Sequence, residues 1–375
     1  MSENYVSLYR KYRPQSFDDV VEQKHIVDTL KNQIKSNQIA HAYLFTGTRG
    51  TGKTSCAKIF AKAVNCLNPK NGSPCFECEA CKMLDGTNMN IMEIDAASNN
   101  SVEDVRDMRE NIKFAPVGCK YKVYIIDEVH MLSPSAFNAL LKSIEEPPSH
   151  IIFILATTEV HKIPATILSR VVRLDFRLVS AKAMYEHLSS IFEKEGIKYE
   201  KSALEEIVRL GDGSVRDTLS LAECVVGYAG KDVKYDDVLT CMGTSSKVVL
   251  NDLADSILSR DIGRFFQIVD KEYMKGKNFA LLSKELVSFL RDMLICKTCS
   301  EAKDILKLNE VDFASINELA NKHNQDDIFI ALTEFTNAES EFRYASNAKM
   351  LFESIGVLCM ADDDVKKKIL QRLNR

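Results

Sequence analysis

The fold of this chain is decided by the stretch Ala42-Tyr-Leu-Phe-Thr-Gly47-Thr-Arg-Gly-Thr-Gly-Lys-Thr54. It contains the pattern G-x-x-x-x-G-K-[ST], with a strand-like apolar run before it and a helix-favouring segment, residues 55–65, after it. Glycines in such a loop let backbone N–H groups point inward around phosphates, and the positive end of the next helix attracts the same anions. The stretch therefore predicts a phosphate-binding loop, with a merely glycine-rich turn as the alternative.

Further strands are predicted on both sides of this loop. Up to about residue 178, short β-branched runs alternate with helical patterns, as they do in parallel α/β domains. Because several of the runs are almost entirely apolar, we expect one buried parallel sheet covered by helices on both faces. The predicted strands are Ala42–Phe45, Ile91–Asp95, Lys122–Asp127, Ile151–Thr157 and Val171–Phe176.

Strand patterns disappear from Ser180 onward. Helical patterns follow, broken at Gly196, at Gly211-Asp-Gly213 and at Gly227, and residues after 246 form amphipathic helical patterns such as 279–290. The fold class is thus α/β plus all-α. We expect an α/β domain over residues 1–179, a small helical domain over 180–243 and a further helical domain over 244–375, the last ending in a charged helix at 366–375.

Two adjacent carboxylates end the third predicted strand, in Lys122-Val-Tyr-Ile-Ile-Asp127-Glu128. Acidic residues at a strand end are often only a solvated turn. Next to a triphosphate site, however, Asp127 is suited to organising Mg²⁺ and Glu128 to activating a water molecule. Within the loop itself, Lys53 can reach the β- and γ-phosphates and Thr54 can bind the same Mg²⁺.

Four cysteines, Cys66, Cys75, Cys78 and Cys81, lie within sixteen residues. Four thiolates at this spacing favour a closed tetrahedral zinc site without an open position for catalysis. Reduced cysteines without a ligand and a redox pair are the alternatives. A second C-x-x-C, Cys296 to Cys299, ends an apolar helical run with no partner pair nearby, and is more simply two helix thiols.

Composition and charge limit the functions and cellular locations that the chain can have. The chain has 375 residues and 11 cysteines. Because its formal net charge is −4, no overall positive field draws it to nucleic acid, and any DNA contact must be local or shared with partners. The first residues carry no basic segment followed by an apolar run, and no stretch of about 20 apolar residues occurs. We therefore expect a cytoplasmic protein without membrane contact.

Several motifs together resemble the gamma/tau subunit of bacterial DNA polymerase III clamp loaders, which are AAA+ ATPases. They occur in order over about the first 245 residues, and the four-cysteine insertion distinguishes this family from most other AAA+ proteins. The motifs are Tyr9-Arg-Lys-Tyr-Arg-Pro14, the loop Gly47–Thr54, the four cysteines, Ile126-Asp-Glu-Val-His-Met-Leu132, Leu155-Ala-Thr-Thr158, Ile167-Leu-Ser-Arg170 and Gly213-Ser-Val-Arg216.

The resemblance implies roles for individual residues. Thr157 would sense the γ-phosphate, Arg216 would reach it from a helical lid, and Arg170 would project into the ATP site of a neighbouring subunit. Alone, either arginine would more simply be a surface ion-pair partner. Ser98 is a weak candidate for repositioning Glu128, a simple turn being equally suited. The implied ATP-binding residues are Tyr9, Pro14, Val20 and Val21 around the adenine, then Gly47, Thr48, Arg49, Gly50, Thr51, Gly52, Lys53, Thr54 and Ser55, with Arg216.

The resemblance also implies the cofactors and partners. ATP, Mg²⁺ and Zn²⁺ would be bound, within a nucleotidyltransferase complex that replicates DNA. The partners would be further copies of this chain, delta-type and delta-prime-type subunits joined through a C-terminal collar, the sliding clamp and primer–template DNA. Tau-type members also contact polymerase and helicase, through a region that these 375 residues do not include.

Two rival functions are open at this point. Another AAA+ motor, such as a branch-migration ATPase, is disfavoured by the four cysteines. A nucleotide-binding scaffold that does not hydrolyse is disfavoured by the intact Lys53, Thr54, Asp127 and Glu128. Two positions depart from the family pattern: Glu22 stands where glycine is common, which could alter a turn with positive φ, and Val171 stands where cysteine usually follows Arg170.

Overall fold

The computed structural model describes residues 6–86, 88–306 and 310–361, and divides the chain into two compact units, 1–235 and 236–375. The predicted charged helix at 366–375 lies outside the described residues. Among the described helices, none is long and apolar enough to cross a membrane.

A five-stranded parallel sheet organises the first unit, and this confirms the predicted α/β architecture. The strand order is β2-β3-β4-β1-β5, so the strand before the phosphate loop lies inside the sheet. Strands β1, β3 and β4 are almost wholly buried, as their apolar sequences require. The strands are β1 Ala42–Thr46, β2 Ile91–Asp95, β3 Lys122–Asp127, β4 Ile151–Thr157 and β5 Val172–Asp175.

Polar residues end the strands at one edge of this sheet. Asp95 pairs in register with Asp127, and Thr46 pairs with both Thr157 and Asp175. Carboxyl ends of parallel strands share an edge, and ligands of open α/β sheets bind outside that edge. The sheet thus brings the acidic motif and the phosphate loop to the same side of the first unit.

Helices cover both faces of the sheet, and further helices follow its last strand in the sequence. Local sequence fixes several of their ends: Ser133 caps α6 by accepting the Ala136 N–H, and Pro134 occupies its first position. The helices of the first unit are α1 Leu8–Lys11, α2 Lys24–Ser36, α3 Lys53–Asn65, α4 Glu79–Met83, α5 Val102–Ile112, α6 Pro134–Glu145, α7 Ala165–Leu168, α8 Ala181–Glu195, α9 Lys201–Leu210 and α10 Val215–Ala229. Helix α11, Tyr235–Met242, begins at the last residue of this unit.

Two predictions for the helical region are wrong in detail. Helix α10 runs through Gly227 and ends at Ala229, where Gly230 takes a φ of 77°. A glycine inside a helix costs only about 1 kcal/mol, which tertiary packing easily offsets. Strand structure also does not vanish after Ser180, because Lys198–Tyr199 (β6) pairs in parallel with Asp232–Val233 (β7).

The second unit is helical and has its own core. Phe265 and Phe352 stack at 6.1 Å between ring centroids. Gly356 is required there, because a Cβ at this position would lie 2.2 Å from the Phe265 ring. The described helices are α12 Lys247–Leu258, α13 Ile262–Met274, α14 Phe279–Thr298, α15 Ala302–Leu306, α16 Glu310–Lys322, α17 Gln325–Asn337 and α18 Ala348–Met360.

Candidate nucleotide-binding cleft and cysteine cluster

The phosphate loop connects β1 to α3 in a conformation that depends on its glycines. Gly47 has a φ of 137°, and an added Cβ would lie 2.4 Å from the Phe176 carbonyl oxygen. Gly50 has a φ of 76°, and its Cβ would lie 2.0 Å from the Ser214 hydroxyl oxygen. A larger residue at either position would therefore combine a left-handed backbone with a steric clash.

Lys53 is buried at the start of α3 and points back along the loop. Its Nζ donates hydrogen bonds to the carbonyl oxygens of Gly47 at 2.7 Å and Thr48 at 2.8 Å. Burial lowers the pKa of Lys53, while the charges of Glu128 and Asp127 act in the opposite direction. The ammonium is thus held at the mouth of a loop whose backbone can receive an anion.

The acidic motif meets the phosphate loop directly. The Thr54 hydroxyl donates to Asp127 Oδ2 at 2.7 Å, which places two oxygen ligands suited to Mg²⁺ side by side. Glu128 follows with φ 45° and ψ 45°, a left-handed conformation that is costly for a residue with a Cβ. Its N–H donates to Asp127 Oδ1 at 3.0 Å, and its carboxylate accepts from the Thr158 hydroxyl at 3.1 Å.

Thr157 ends β4 and is fully buried. Its hydroxyl oxygen lies 3.0 Å from His130 Nδ1 and accepts the Glu159 N–H at 3.0 Å. His130 lies within the motif Ile126–Leu132, but the sequence indicated no role for it. The available signal was its position, two residues beyond the carboxylate pair.

A cleft of about 650 Å³ opens beside the loop. All four residues proposed for the adenine pocket line it, as do both carboxylates and Arg216, whereas Gly47, Thr48, Thr157 and Arg170 are not among its lining residues. Arg13 was missed, although its Nε donates to Ser55 Oγ at 3.0 Å and so ties the N-terminal segment to α3. The other lining residues that sequence reasoning missed are Arg10, Tyr12, Val215 and Leu219.

Arg216 reaches the cleft from the first turn of α10. Its guanidinium carbon lies 5.3 Å from the centroid of the Tyr9 ring, and the neighbouring Val215 N–H donates to the Gly50 carbonyl at 3.1 Å. Helix α10 is therefore attached to the phosphate loop by its backbone and to Tyr9 by the arginine.

Arg170 lies elsewhere, at the surface after α7. Its guanidinium contacts Glu145 at 3.0 Å and donates to the Thr166 carbonyl at 2.8 Å, while 40% of the side chain remains exposed. The structure therefore does not bring Arg170 into the cleft of its own chain. An exposed pair of this kind contributes little to stability, about 0–1 kcal/mol.

The turn at Glu22 keeps a positive φ, 63°, even though the residue is not glycine. The Glu22 carboxylate accepts both the Ser180 N–H at 2.7 Å and the Ser180 hydroxyl at 2.6 Å. Gln23 exchanges two hydrogen bonds with the backbone of Arg177. Since Val20 and Val21 line the cleft, this turn connects the cleft to the segment that precedes α8.

Ser98 remains within its own turn, where its hydroxyl donates to Asp95 at 3.2 Å. The suggestion that it repositions Glu128 stays a prediction.

The second cysteine pair lies at the end of a helix, as predicted. Cys296 lies in the last turn of α14 and Cys299 caps that helix.

The four clustered cysteines converge, with their Sγ atoms all within 4.8 Å of one another. The Cys66–Cys78 and Cys75–Cys81 sulfur pairs are 4.0 and 3.9 Å apart, close to the about 3.8 Å expected for ligands 2.3 Å from a tetrahedral zinc. The residues present therefore fit zinc.

Backbone N–H groups point at three sulfurs of this cluster, those of Cys66, Cys75 and Cys78. The Glu77 and Cys78 amides lower the pKa of Cys75. Burial raises the pKa of Cys78, but the amides of Cys81 and Leu67 outweigh it and lower the value to about 6. Since thiolates bind the metal, these amides favour the metal-binding form of Cys75 and Cys78, whereas burial raises the pKa of Cys66 and Cys81.

Comparisons with known proteins agree with this geometry. The family model for the DNA polymerase III delta subunit matches residues 22–180, the one for the clamp-loader ATPase lid domain matches 183–231, and the one for domain III of subunits gamma and tau matches 233–371. Together, these models match most of the chain.

Individual relatives are similar over nearly the whole sequence. The DNA polymerase III subunit gamma of Buchnera aphidicola is 34% identical over 92% of this chain and 96% of its own length. The subunit tau of Bacillus subtilis is 42% identical over 93% of this chain, which spans 62% of that relative. Among solved structures, the Thermotoga maritima branch-migration motor RuvB matches 66% of this chain and 79% of its own chain at 20% identity, with a TM-score of 0.48.

Proposed function

Because this chain belongs to the family of DNA polymerase III gamma and tau subunits, we propose that it is an ATP-hydrolysing motor subunit of a clamp loader. The clamp loader would open a ring-shaped sliding clamp and close it around primed DNA. The observation that supports hydrolysis best is the 2.7 Å hydrogen bond from Thr54 to Asp127, because it joins the phosphate loop to the acidic motif in one cleft.

The residues predicted from the sequence have separate roles in this proposal. Lys53 and the loop amides hold the β- and γ-phosphates, and Glu128 orients and deprotonates the attacking water. Mg²⁺ would be held by Thr54 and Asp127 and would neutralise charge on the phosphates. The other predicted residues act in binding: Tyr9, Pro14, Val20 and Val21 surround the base, and Arg216 grips the γ-phosphate from α10. Thr157, which ends β4 outside the lining of the cleft, senses that phosphate.

Arg170 acts on a different molecule in this proposal. It is exposed and absent from the lining of its own cleft, so it is available to the ATP site of a neighbouring subunit. An arginine supplied in this way stabilises charge on the γ-phosphoryl group and accelerates related P-loop enzymes by about 10³–10⁵-fold. Hydrolysis thereby becomes conditional on correct assembly.

The proposed partners follow from the family. Further copies of this chain, with delta-type and delta-prime-type subunits, would assemble through residues 244–375, while residues 1–179 and 180–243 would form the ATPase domain and its lid. The sliding clamp and primer–template DNA would bind the assembled complex. With a net charge of −4, the chain would contact the DNA backbone through a few local lysines and arginines.

Zinc has a structural role in this proposal. With Cys66, Cys75, Cys78 and Cys81 all as ligands, a tetrahedral site is closed and has no position for a reacting water molecule. It would stabilise the segment between α3 and α4.

Reconstituted clamp loading tests the proposal. A complex containing this chain should hydrolyse ATP, with turnover stimulated by clamp and primed DNA, and should leave clamps on the DNA. Asp127→Asn should abolish both activities, because it weakens the Mg²⁺ site. Tight ATP binding without turnover, in the presence of clamp and DNA, would instead favour the non-hydrolysing scaffold.

A further inference from the structure

His130 lies at the junction between Thr157 and Glu128, yet the proposed mechanism gives it no part. It occupies the short 3-10 helix Val129–Met131 that follows β3, and only 6% of its side chain is exposed. A buried imidazole needs partners for both ring nitrogens, since one donates and the other accepts in its neutral form. Its partners therefore indicate what it holds in place.

The two nitrogens face different groups. Nε2 lies 3.3 Å from Glu159 Oε1. Nδ1 lies 3.0 Å from the Thr157 hydroxyl oxygen and 3.4 Å from Glu128 Oε2. One ring nitrogen thus lies next to both the residue proposed to sense the γ-phosphate and the residue proposed to activate water.

In a neutral ring, only one of these two neighbours can form a hydrogen bond with Nδ1. An ionised Glu159 accepts only, so Nε2 carries the proton in a neutral ring and Nδ1 must accept. Nδ1 then accepts a hydrogen bond from the Thr157 hydroxyl, because an ionised Glu128 carboxylate has no hydrogen to donate. If Thr157 turns its hydroxyl toward another acceptor, Nδ1 loses its hydrogen-bond donor. The contact between Nδ1 and the Glu128 carboxylate then changes.

Glu128 is held by its neighbours in a strained conformation. Its backbone is left-handed, and its carboxylate is held by the Thr158 hydroxyl from the strand end that also carries Thr157. Backbone strain of this kind persists only where the surroundings enforce it. A change at His130 therefore acts on a residue that is already constrained on one side by β4.

From this geometry we propose that His130 is a positioning residue that makes the placement of Glu128 depend on the hydrogen bond of Thr157. Contact of Thr157 with a γ-phosphate would be transmitted through Nδ1 to the carboxylate that activates water. This inference rests on the proposed ATPase function and concerns the rate of cleavage. ATP affinity is determined by other residues.

Three substitutions at His130 distinguish the contributions of its two ring nitrogens. His130→Phe keeps the ring shape and removes both polar atoms. His130→Asn keeps a polar atom near the position of Nδ1, and His130→Gln keeps one near the position of Nε2. His161→Ala is the matched control, because His161 is 73% exposed and also contacts Glu159, at 3.6 Å, but does not contact Thr157 or Glu128.

Steady-state ATP hydrolysis by the assembled complex, with clamp and primed DNA, is the measurement. His130→Phe and His130→Gln should lower kcat by about 10²-fold, the effect expected of a misplaced catalytic group, with KM for ATP within about twofold of the unmodified complex. His130→Asn should recover most of kcat, and His161→Ala should match the unmodified complex.

Several outcomes would overturn the inference. A normal kcat for His130→Phe would show that the imidazole is dispensable. Equal losses in His130→Asn and His130→Gln, or parallel changes in kcat and KM, would identify His130 as a packing residue. Absence of ATP turnover in the unmodified complex would refute the proposed function itself, so the two failures are distinguishable.

Discussion

The phosphate cleft and the cysteine cluster are built in opposite ways. The cluster takes all four ligand atoms from a stretch of sixteen residues, and its sulfurs already lie within 4.8 Å of one another. The cleft collects residues from Tyr9 to Leu219, and an arginine proposed for its chemistry, Arg170, lies outside it. In the proposed account, one site is complete within a short segment, whereas the other is complete only with a second molecule.

This difference predicts different consequences of mutation. Removing one ligand of a closed site should damage local structure. Removing a residue that acts on a neighbouring chain should leave structure and binding intact and lower only the rate of the assembled complex.

The largest expected effect belongs to Arg170. Arg170→Ala should lower ATP turnover of the complex with clamp and primed DNA by about 10³-fold or more, because charge on the γ-phosphoryl group is no longer stabilised. ATP affinity of the isolated subunit, measured by titration, should stay unchanged. Arg173→Ala is the control, since Arg173 is comparably exposed and pairs with Asp175. Normal DNA-stimulated turnover in Arg170→Ala would rule out the trans role.

A smaller effect is expected at the cysteine cluster. Elemental analysis should find one zinc per chain, and Cys78→Ser should weaken zinc binding by more than about 10²-fold, since changes merely outside the ligand shell already cost 10–100-fold. Limited proteolysis should then cleave near residues 66–83. Cys224→Ser, at an exposed cysteine outside the cluster, should retain the metal. A stably folded protein without zinc would contradict the assignment.

The smallest effect is expected at Glu22, which joins the cleft to the segment before α8. Glu22→Ala loses the two hydrogen bonds to Ser180, each contributing about 1 kcal/mol, and keeps an unfavourable left-handed backbone. Glu22→Gly loses the same bonds but removes the conformational cost, also about 1 kcal/mol. In thermal unfolding, the Glu22→Ala protein should therefore have the lowest Tm of the three, and equal Tm values for the two variants would contradict this account.

The same contrast explains how much of the molecule could be predicted from sequence. The strands were predictable because β1, β3 and β4 are continuous apolar runs, and the phosphate loop and the cysteines are local patterns whose geometry follows from spacing. The two-residue strands β6 and β7 are too short to show a period in the sequence. The predicted helix break at Gly227 was wrong because a single glycine does not end a helix that is otherwise well packed.

Residues joined by tertiary contacts were harder to predict. Nothing in the sequence around Arg13 indicates that it contacts Ser55, and His130 acquires significance only where β3 and β4 end side by side. The sequence left open whether the turn at Glu22 changes without glycine, and its backbone keeps a positive φ while its carboxylate binds Ser180. Such interactions depend on residues more than 25 positions apart, as in the 27-residue separation of His130 and Thr157.

ATP binding by Lys53→Ala tests the central claim most directly. The unmodified protein should bind one ATP per chain in the presence of Mg²⁺. Lys53→Ala should weaken binding by about 10²-fold, since a charged hydrogen-bonding group contributes about 1.5–3 kcal/mol. Lys58→Ala, on the same helix but paired with Glu93, should bind as the unmodified protein does. An unchanged affinity in the Lys53→Ala protein would contradict the account.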